Sequence, residues 1–337
     1  MTGATFDPDD VLLEVEHLST TFFLDRGPVP AVRDVSFRVR RGEILGIVGE
    51  SGSGKSVTAR SLVNLVPRPG RVVGGRVGFN GSDLLTASAS ELRAVRGAQI
   101  ATVLQEPMTS LNPVMSIGNQ VTEMFKAHPS RRPPGSLRAA AVELLERVRI
   151  SDAAKRLNQF PMHLSGGMRQ RVSIAMAASC RPELVIADEP TTALDVTIQA
   201  QVLALLLDLR DEIGTAMILI THDMGVVAQV CDSVAVMYGG EIVEYAPVGD
   251  LFAAPQHPYT RALLGSLPTL DRRVDVLPSI DGNPPSLAEL PPGCPFAPRC
   301  AEAIERCHRD EPPMRRTPDG RLARCWLAPG DEELDDA

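Results

Sequence analysis

The sequence predicts an α/β protein: a parallel sheet fronted by an antiparallel β-subdomain, with a helical subdomain and a loop-rich C-terminal extension. Three observations carry this. A short apolar run, Ile44-Leu45-Gly46-Ile47-Val48, feeds a glycine-rich loop, Gly49-Glu50-Ser51-Gly52-Ser53-Gly54-Lys55-Ser56, which opens a segment that reads as helix through Val66. Two further apolar runs, Leu184 to Ala187 and Thr215 to Ile220, end in polar residues, Asp188-Glu189 and Thr221-His222-Asp223. Strands ending at functional polar residues are expected of a parallel sheet, where ligands sit at the carboxyl edge. Beyond about residue 250, prolines multiply and regular periodicity fades.

In order, residues 12–23 alternate apolar and polar positions and read as a strand closed by Phe22 or Phe23, and Ala31 to Arg40 alternates again. Arg71 to Phe79 is a third alternating strand, turned by Asn80-Gly81. A short helix over Ser88 to Gly97 leads into the buried-type strand Ile100 to Leu104, which ends at Gln105. Residues 107–181 read as mostly helical, broken by the basic, proline-rich loop at 129–135. Ser165 is placed to cap the helix running from Met168 to Ser179. A leucine stripe makes 196–213 a helix, Ser233 to Tyr238 and Glu241 to Tyr245 pair around Gly239-Gly240, and a short helix spans Tyr259 to Leu267. The acidic tail at 331–336 has the composition of a disordered segment.

The bulk numbers bound the rest. A chain of 337 residues suits one large domain with an appendage, or two domains. Net charge is -8, which argues against nucleic acid as a partner. The N-terminus MTGATFDPDD has neither a basic nor an apolar stretch, and no apolar run approaches the ~18 residues of a membrane span. A membrane role is then expected to come through partners.

The loop carries the chemistry. Its glycines let backbone N–H groups fold around an anion, and the following helix adds its positive N-terminal end. Lys55 is placed to reach β- and γ-phosphates and Ser56 to ligate magnesium; an ordinary strand-to-helix turn is the bland alternative. Asp188 ends a strand as a magnesium-holding carboxylate does, and Glu189 is placed to polarise an attacking water; a surface cap is the alternative. With aromatics at only 4%, an aromatic near Phe22 is either an adenine platform or a core side chain.

Five further stretches bear on this reading: Gln105, Leu164-Ser165-Gly166-Gly167, Leu184 to Glu189, Ala193-Leu194-Asp195, and His222. In order and spacing over residues 12–250, the chain resembles the ATP-binding subunit of an ABC transporter. The resemblance implies an ABC-type P-loop NTPase fold with a RecA-like core and a helical subdomain at about 107–181. By it, Gln105 contacts magnesium and water and senses the transmembrane partner, and His222 clamps the γ-phosphate. Ser165, Gly166 and Gly167 bind ATP held by the opposite subunit, and Asp195 shapes the dimer contact. Phe22 stands where the family stacks an aromatic on adenine, and Val57 is carried with the loop residues Gly49, Ser51, Gly52, Ser53, Gly54, Lys55 and Ser56. Met168 departs from the usual LSGGQ. However, LSGGMRQR, the stretches 105–121 and 188–201, and HPYTRALLGSLP at 257–268 are similar to the oligopeptide/dipeptide branch. That branch implies an ATPase for peptide import at the cytoplasmic face of the membrane, with dipeptides, longer peptides, nickel or glutathione as solutes. Its partners are a second ATPase subunit, identical or related, two permeases and an external peptide-binding protein. A soluble ABC ATPase outside transport is the alternative, though such proteins carry coiled-coil insertions or paired ATPase units not seen here.

Four of six cysteines, Cys294, Cys300, Cys307 and Cys325, crowd into the extension with spacing C-x5-C-x6-C-x17-C. In a reducing compartment such a set reads as a metal centre, and thiolates in a loop-rich segment fit a 4Fe-4S cluster or zinc. The branch resemblance favours the iron–sulfur cluster; free thiols are the remaining reading.

Overall fold

A computed structural model of the chain describes residues 10–104, 111–192, 194–267, 280–330 and 332–333. Strands β1 (Val11–Leu24), β2 (Gly27–Arg40), β4 (Gly70–Phe79) and β5 (Ser82–Asp83) form an antiparallel sheet in the order β2-β1-β4-β5. The alternation read from sequence slips inside β1, because Val15 and Leu18 are both buried. A bulge explains it: the register shifts between these residues, and His17 (φ 50°) and Asp34 (φ 48°) adopt left-handed backbone on the two strands. The His17 ring nitrogen lies 2.7 Å from the Asp34 carboxylate across the irregularity.

The main sheet runs β13-β11-β12-β10-β9-β3-β8-β7-β6 among the described residues. Its centre is parallel: β3 (Ile44–Val48) lies between β8 (Ala216–Thr221) and β9 (Ser233–Tyr238), and β7 (Leu184–Asp188) lies between β8 and β6 (Ile100–Val103). Every residue of β3, β7, β8 and β9 is buried. Strands covered on both faces need apolar side chains throughout, which is why these read as unbroken runs. The order puts the carboxyl ends of β3, β8 and β7 side by side. β10 (Glu241–Pro247) turns back antiparallel on β9 through Gly239 and Gly240, both at positive φ.

Helix α1 (Lys55–Leu62) follows β3 and stops four residues before the end expected from sequence. Asn64 (φ 50°) closes it in left-handed backbone, Leu65 N–H donates to the Arg60 carbonyl at 2.8 Å, and Pro67 follows. Beyond α2 (Ala89–Val95) lies a helical region of α3 (Ile117–Ala127), α4 (Leu137–Arg147), α5 (Ala153–Arg156) and α6 (Gly166–Ala178). Its apolar faces share a core with β6, β7 and α7 (Val196–Ile213). α8 (Met224–Val230) connects β8 to β9.

Past residue 250 the chain does not leave the main sheet. After α9 (Val248–Ala253) and α10 (Pro258–Gly265) it returns through β11 (Arg315–Arg316), β12 (Leu322–Ala323) and β13 (Glu332–Glu333), and β12 pairs with β10. Two-residue strands carry no periodicity, so the sequence could not announce them. The acidic stretch supplies β13 opposite β11, with Glu333 and Glu332 in register with Arg315 and Arg316. No helix among the described residues is long and apolar enough to cross a membrane.

Candidate active site

The loop after β3 is shaped by glycines that no other residue could replace without movement. Gly49 sits at φ 151°, and a Cβ there would lie 2.2 Å from the Met237 carbonyl oxygen of β9. Gly54 caps α1 at φ 106° with a would-be Cβ 2.6 Å from the Ala31 carbonyl. No side chain caps the helix start, so its backbone donors face into the loop. Inside lies Lys55, 5% exposed, whose ammonium donates to the Gly49 and Glu50 carbonyls at 2.7 and 2.8 Å. Burial draws its pKa below the ordinary value, against the carboxylates of Glu189, Asp188 and Glu50. A desolvated cation ringed by carbonyls and amides suits a polyphosphate. Ser51 and Gly52 are exposed at the loop tip and Ser53 is buried.

Two neighbouring strands complete the edge. The Ser56 hydroxyl donates to Asp188 at 2.8 Å, and burial pushes the Asp188 carboxyl up, opposed by that bond and by Arg60. A hydroxyl beside a carboxylate is the hard oxygen pair magnesium accepts, so these two residues fit the ion. Glu189 turns the chain in left-handed backbone (φ 45°), and its N–H donates to the Ile220 carbonyl of β8 at 2.9 Å. Its carboxylate accepts from Thr192 Oγ1 at 2.8 Å and lies 3.5 Å from the ring of His222, which is mostly exposed. A non-glycine residue at positive φ is strained, and such strain concentrates at functional sites. Lys55, Ser56, Asp188, Glu189 and His222 therefore gather at one edge.

The other expected residues lie elsewhere. Ser165 caps α6 by accepting from Met168 N–H at 3.3 Å; Ser165 and Gly166 are exposed, and Gly167 packs where a Cβ would meet Ile198 at 2.8 Å. Asp195 caps α7, accepting from Ile198 N–H at 2.9 Å. Phe22 is half-buried across β4, its ring against Gly70, whereas Phe23 is exposed beneath the Arg71 guanidinium at 4.3 Å. Val57 packs partly against the core. Gln105 and Ala193 lie outside the described residues.

With this geometry in place, comparison with known proteins gives its family. Residues 32–192 match the model described as ABC transporter, and residues 243–307 match that of the oligopeptide/dipeptide transporter C-terminal region. The chain is 52% identical over 319 residues to a probable peptide ABC transporter ATP-binding protein of Sinorhizobium fredii, covering 94% of this chain and 95% of that one. Oligopeptide transport ATP-binding proteins of Bacillus subtilis and Salmonella typhimurium are 48% and 49% identical, over 94% and 95% of this chain and 96% and 94% of theirs. The chain belongs to the ATP-binding subunits of oligopeptide/dipeptide-type ABC transporters. Among solved structures, the dimeric cassette MJ0796 in a post-hydrolysis state with ADP and Pi is similar to this ABC subunit at TM-score 0.62 and 26% identity, over 70% of this chain and 98% of that one. CbiO1 of Clostridium perfringens, part of an ABC transporter complex, matches at TM-score 0.61 and 27% identity, over 73% and 92%.

In this ABC subunit the extension brings its four cysteines together. Cys294, Cys300, Cys307 and Cys325 all line one small pocket with His257, Phe296 and Trp326. Among the described residues no group of three or more His, Cys, Asp or Glu that could hold a metal ion is found. All four are free cysteines, and burial pushes the Cys294 thiol up to about 12 and those of Cys300 and Cys325 in the same direction.

The extension also supplies contacts that the sequence did not reveal. Arg299 donates to both Glu50 carboxylate oxygens at 2.6 and 3.0 Å, and Glu50 N–H donates to the Tyr259 hydroxyl at 2.8 Å. Tyr259 lies in the HPYT element, and Arg299 precedes a cysteine; neither position carries a local signal for a loop 209 and 249 residues away.

Proposed function

We propose that this chain holds MgATP at the shared edge of β3, β7 and β8 and hydrolyses it to drive peptide import. It is an ATPase of the ABC type, and its relatives' peptide-transport assignments over nearly their whole lengths support the peptide. The observation that carries the reading is the gathering of Lys55, Ser56, Asp188, Glu189 and His222 at one strand edge. Lys55 and the loop amides hold the phosphates, and Ser56 with Asp188 would hold magnesium, whose bound charge neutralises that developing on the phosphate oxygens. Glu189 takes the proton of a water whose oxygen bonds to the γ-phosphorus as the bond to ADP breaks, and His222 steadies the γ-phosphate. Phe22, half-buried with its ring against Gly70, is the aromatic that would stack on adenine.

The Ser165–Gly166–Gly167 segment, exposed at Ser165 and Gly166, is the part that a second ATPase subunit presents, with Asp195 beside the contact. The family works as a dimeric ATPase on two permeases at the cytoplasmic side of the membrane, and we add an external peptide-binding protein. Residues 1–250 are taken as the ATP-binding unit, with its helical part at about 107–181, and 251–337 as the extension.

Glu189→Gln tests the chemistry. It should retain MgATP binding and lose turnover by ~100-fold or more, the usual worth of a positioned base; unchanged turnover overturns the assignment. In the assembled transporter, stimulation by peptide-loaded binding protein supports the substrate, and stimulation only by nickel or glutathione overturns it. The convergence of four cysteines on one pocket favours a 4Fe-4S cluster or zinc in the extension, which iron and zinc content after anaerobic purification decides.

A further inference from the structure

We propose that Arg299 of the extension is a positioning residue for the phosphate loop: by neutralising Glu50 it makes the loop's hold on triphosphate depend on the extension. The inference rests on the ATP reading above. Glu50 is the second residue of the loop, and an unpaired carboxylate there repels the polyanion the loop must receive. Arg299 removes that charge through a two-pronged pair, the geometry guanidinium and carboxylate share best. The Arg299 side chain is only 5% exposed and that of Glu50 24%, so water screens the pair little.

Arg299 is itself fixed by the extension. Its Nε donates to the Asp281 carbonyl at 2.9 Å and its Nη2 to Ile280 at 3.3 Å, while Nη1 also reaches the Tyr238 hydroxyl at 3.3 Å. Tyr259 holds the backbone of the same loop residue and is fully buried, its ring against Tyr238 and Phe296. From Glu50 the chain of contacts continues inward, since the Lys55 ammonium donates to the Glu50 carbonyl at 2.8 Å. Extension, Glu50 and the phosphate-binding lysine are thus joined by consecutive hydrogen bonds. Arg299 precedes Cys300, so the segment lining the cysteine pocket is the one that reaches the loop.

The test is a charge cycle in the full chain, read by titration with MgATP and by steady-state kinetics in the assembled transporter. Arg299→Gln should weaken MgATP by roughly tenfold, within the range usual for coupled sites. Its KM should rise while kcat stays within about twofold, as expected when binding alone is lost. Raising the salt should shrink the defect only slightly, because Glu50 is largely shielded from solvent. The double variant Glu50→Gln/Arg299→Gln should recover most of the affinity, since no carboxylate is left to repel. Equal affinity in Arg299→Gln and wild type, or a double variant as weak as the single, overturns the proposal. A melting temperature recorded for each variant separates unfolding from loss of charge pairing: a destabilised fold gives no rescue by Glu50→Gln. Failure of the wild type to bind MgATP would sink the ATP reading itself, whereas wild-type binding with an indifferent Arg299→Gln sinks only the coupling.

Discussion

Replacing Gly49 by alanine should damage fold and nucleotide binding together, and the structure sets the size. The new Cβ would lie 2.2 Å from the Met237 carbonyl oxygen, 3.2 Å from its carbon and 2.8 Å from Ser53 Oγ, where ordinary contact begins at 3.4 Å. Ser53 Oγ can rotate away, but the carbonyl cannot. Met237 is fully buried in β9, and β9 is bonded to β3 up to Val48↔Val236, the pair adjacent to the clash. Relief therefore requires moving the loop. Overpacking and a residue forced to an unfavourable φ each cost about 1–3 kcal/mol, so together about 2–6 kcal/mol is expected. At about 2–4 °C per kcal/mol, melting should fall by roughly 4–24 °C. Gly42→Ala is the control, since its φ is +70° with nothing within 4 Å, so it meets the backbone penalty without the clash. That penalty is about 1–2 kcal/mol. Calorimetry of both variants with MgATP titration decides. Gly49→Ala should melt well below Gly42→Ala and lose at least about tenfold in MgATP affinity, the equivalent of 1.4 kcal/mol. Equal melting of the two, with Gly49→Ala binding normally, would refute the steric argument.

Ser56→Ala removes the donor to Asp188 and should cost about 1 kcal/mol of stability while raising the magnesium needed for turnover; unchanged magnesium dependence would count against Ser56 as a ligand. Burial, with Arg261 nearby, holds the His257 imidazole down near about 3 against an ordinary 6.5. The folded chain therefore refuses a proton that the unfolded chain accepts, so this contribution is present above about pH 6.5 and is lost as pH falls toward 3, by up to about 1.4 kcal/mol per unit. His257→Asn keeps a side-chain acceptor for the Tyr259 N–H and should flatten the fall in melting temperature between pH 7 and 5.5; an identical slope would refute it. Gly293→Ala, with a Cβ 2.3 Å from the Cys307 carbonyl, should loosen the extension and speed thiol labelling of the cysteines around the pocket. No change in labelling rate would contradict that packing.

The legible part of this protein was local. Apolar runs marked β3, β7 and β8 because strands buried on both faces need unbroken apolar side chains, and the glycine spacing marked the loop because backbone geometry demands it there. Ser165 was legible as a cap for the same reason, whereas the cap that Asp195 provides was not read from the sequence. What stayed hidden was either irregular or distant. The bulge at His17 and Asp34 breaks a period of two at a single point, and α1 stops on an asparagine in left-handed backbone rather than on the more usual glycine. The pairing of Arg299 with Glu50 joins residues with no shared pattern. The cysteine spacing announced proximity, which the common pocket bears out, but spacing says nothing of whether the sulfurs close to ligating distance.

The two edges of the main sheet have different fates, and this ties the extension to the site. At one edge β6 hands the chain toward the helical region, whose Ser165 turn is exposed for a neighbour. At the other, β10 would present an open row of backbone donors and acceptors, a liability in any sheet. β12 covers part of that row, with Glu244↔Ala323 and Tyr245↔Leu322 in register, and buried Glu244 accepts the N–H groups of Gln256 and His257 at 2.8 Å. These contacts fix the HPYT element beside the strand, which in turn sets Tyr259 under the loop at Glu50. An extension needed only to cover an edge could run from α10 to β12 without approaching the phosphate loop. This one also sends Arg299 to the phosphate loop, so edge protection and loop positioning come from the same folded segment, and a variant that loosens it should weaken both.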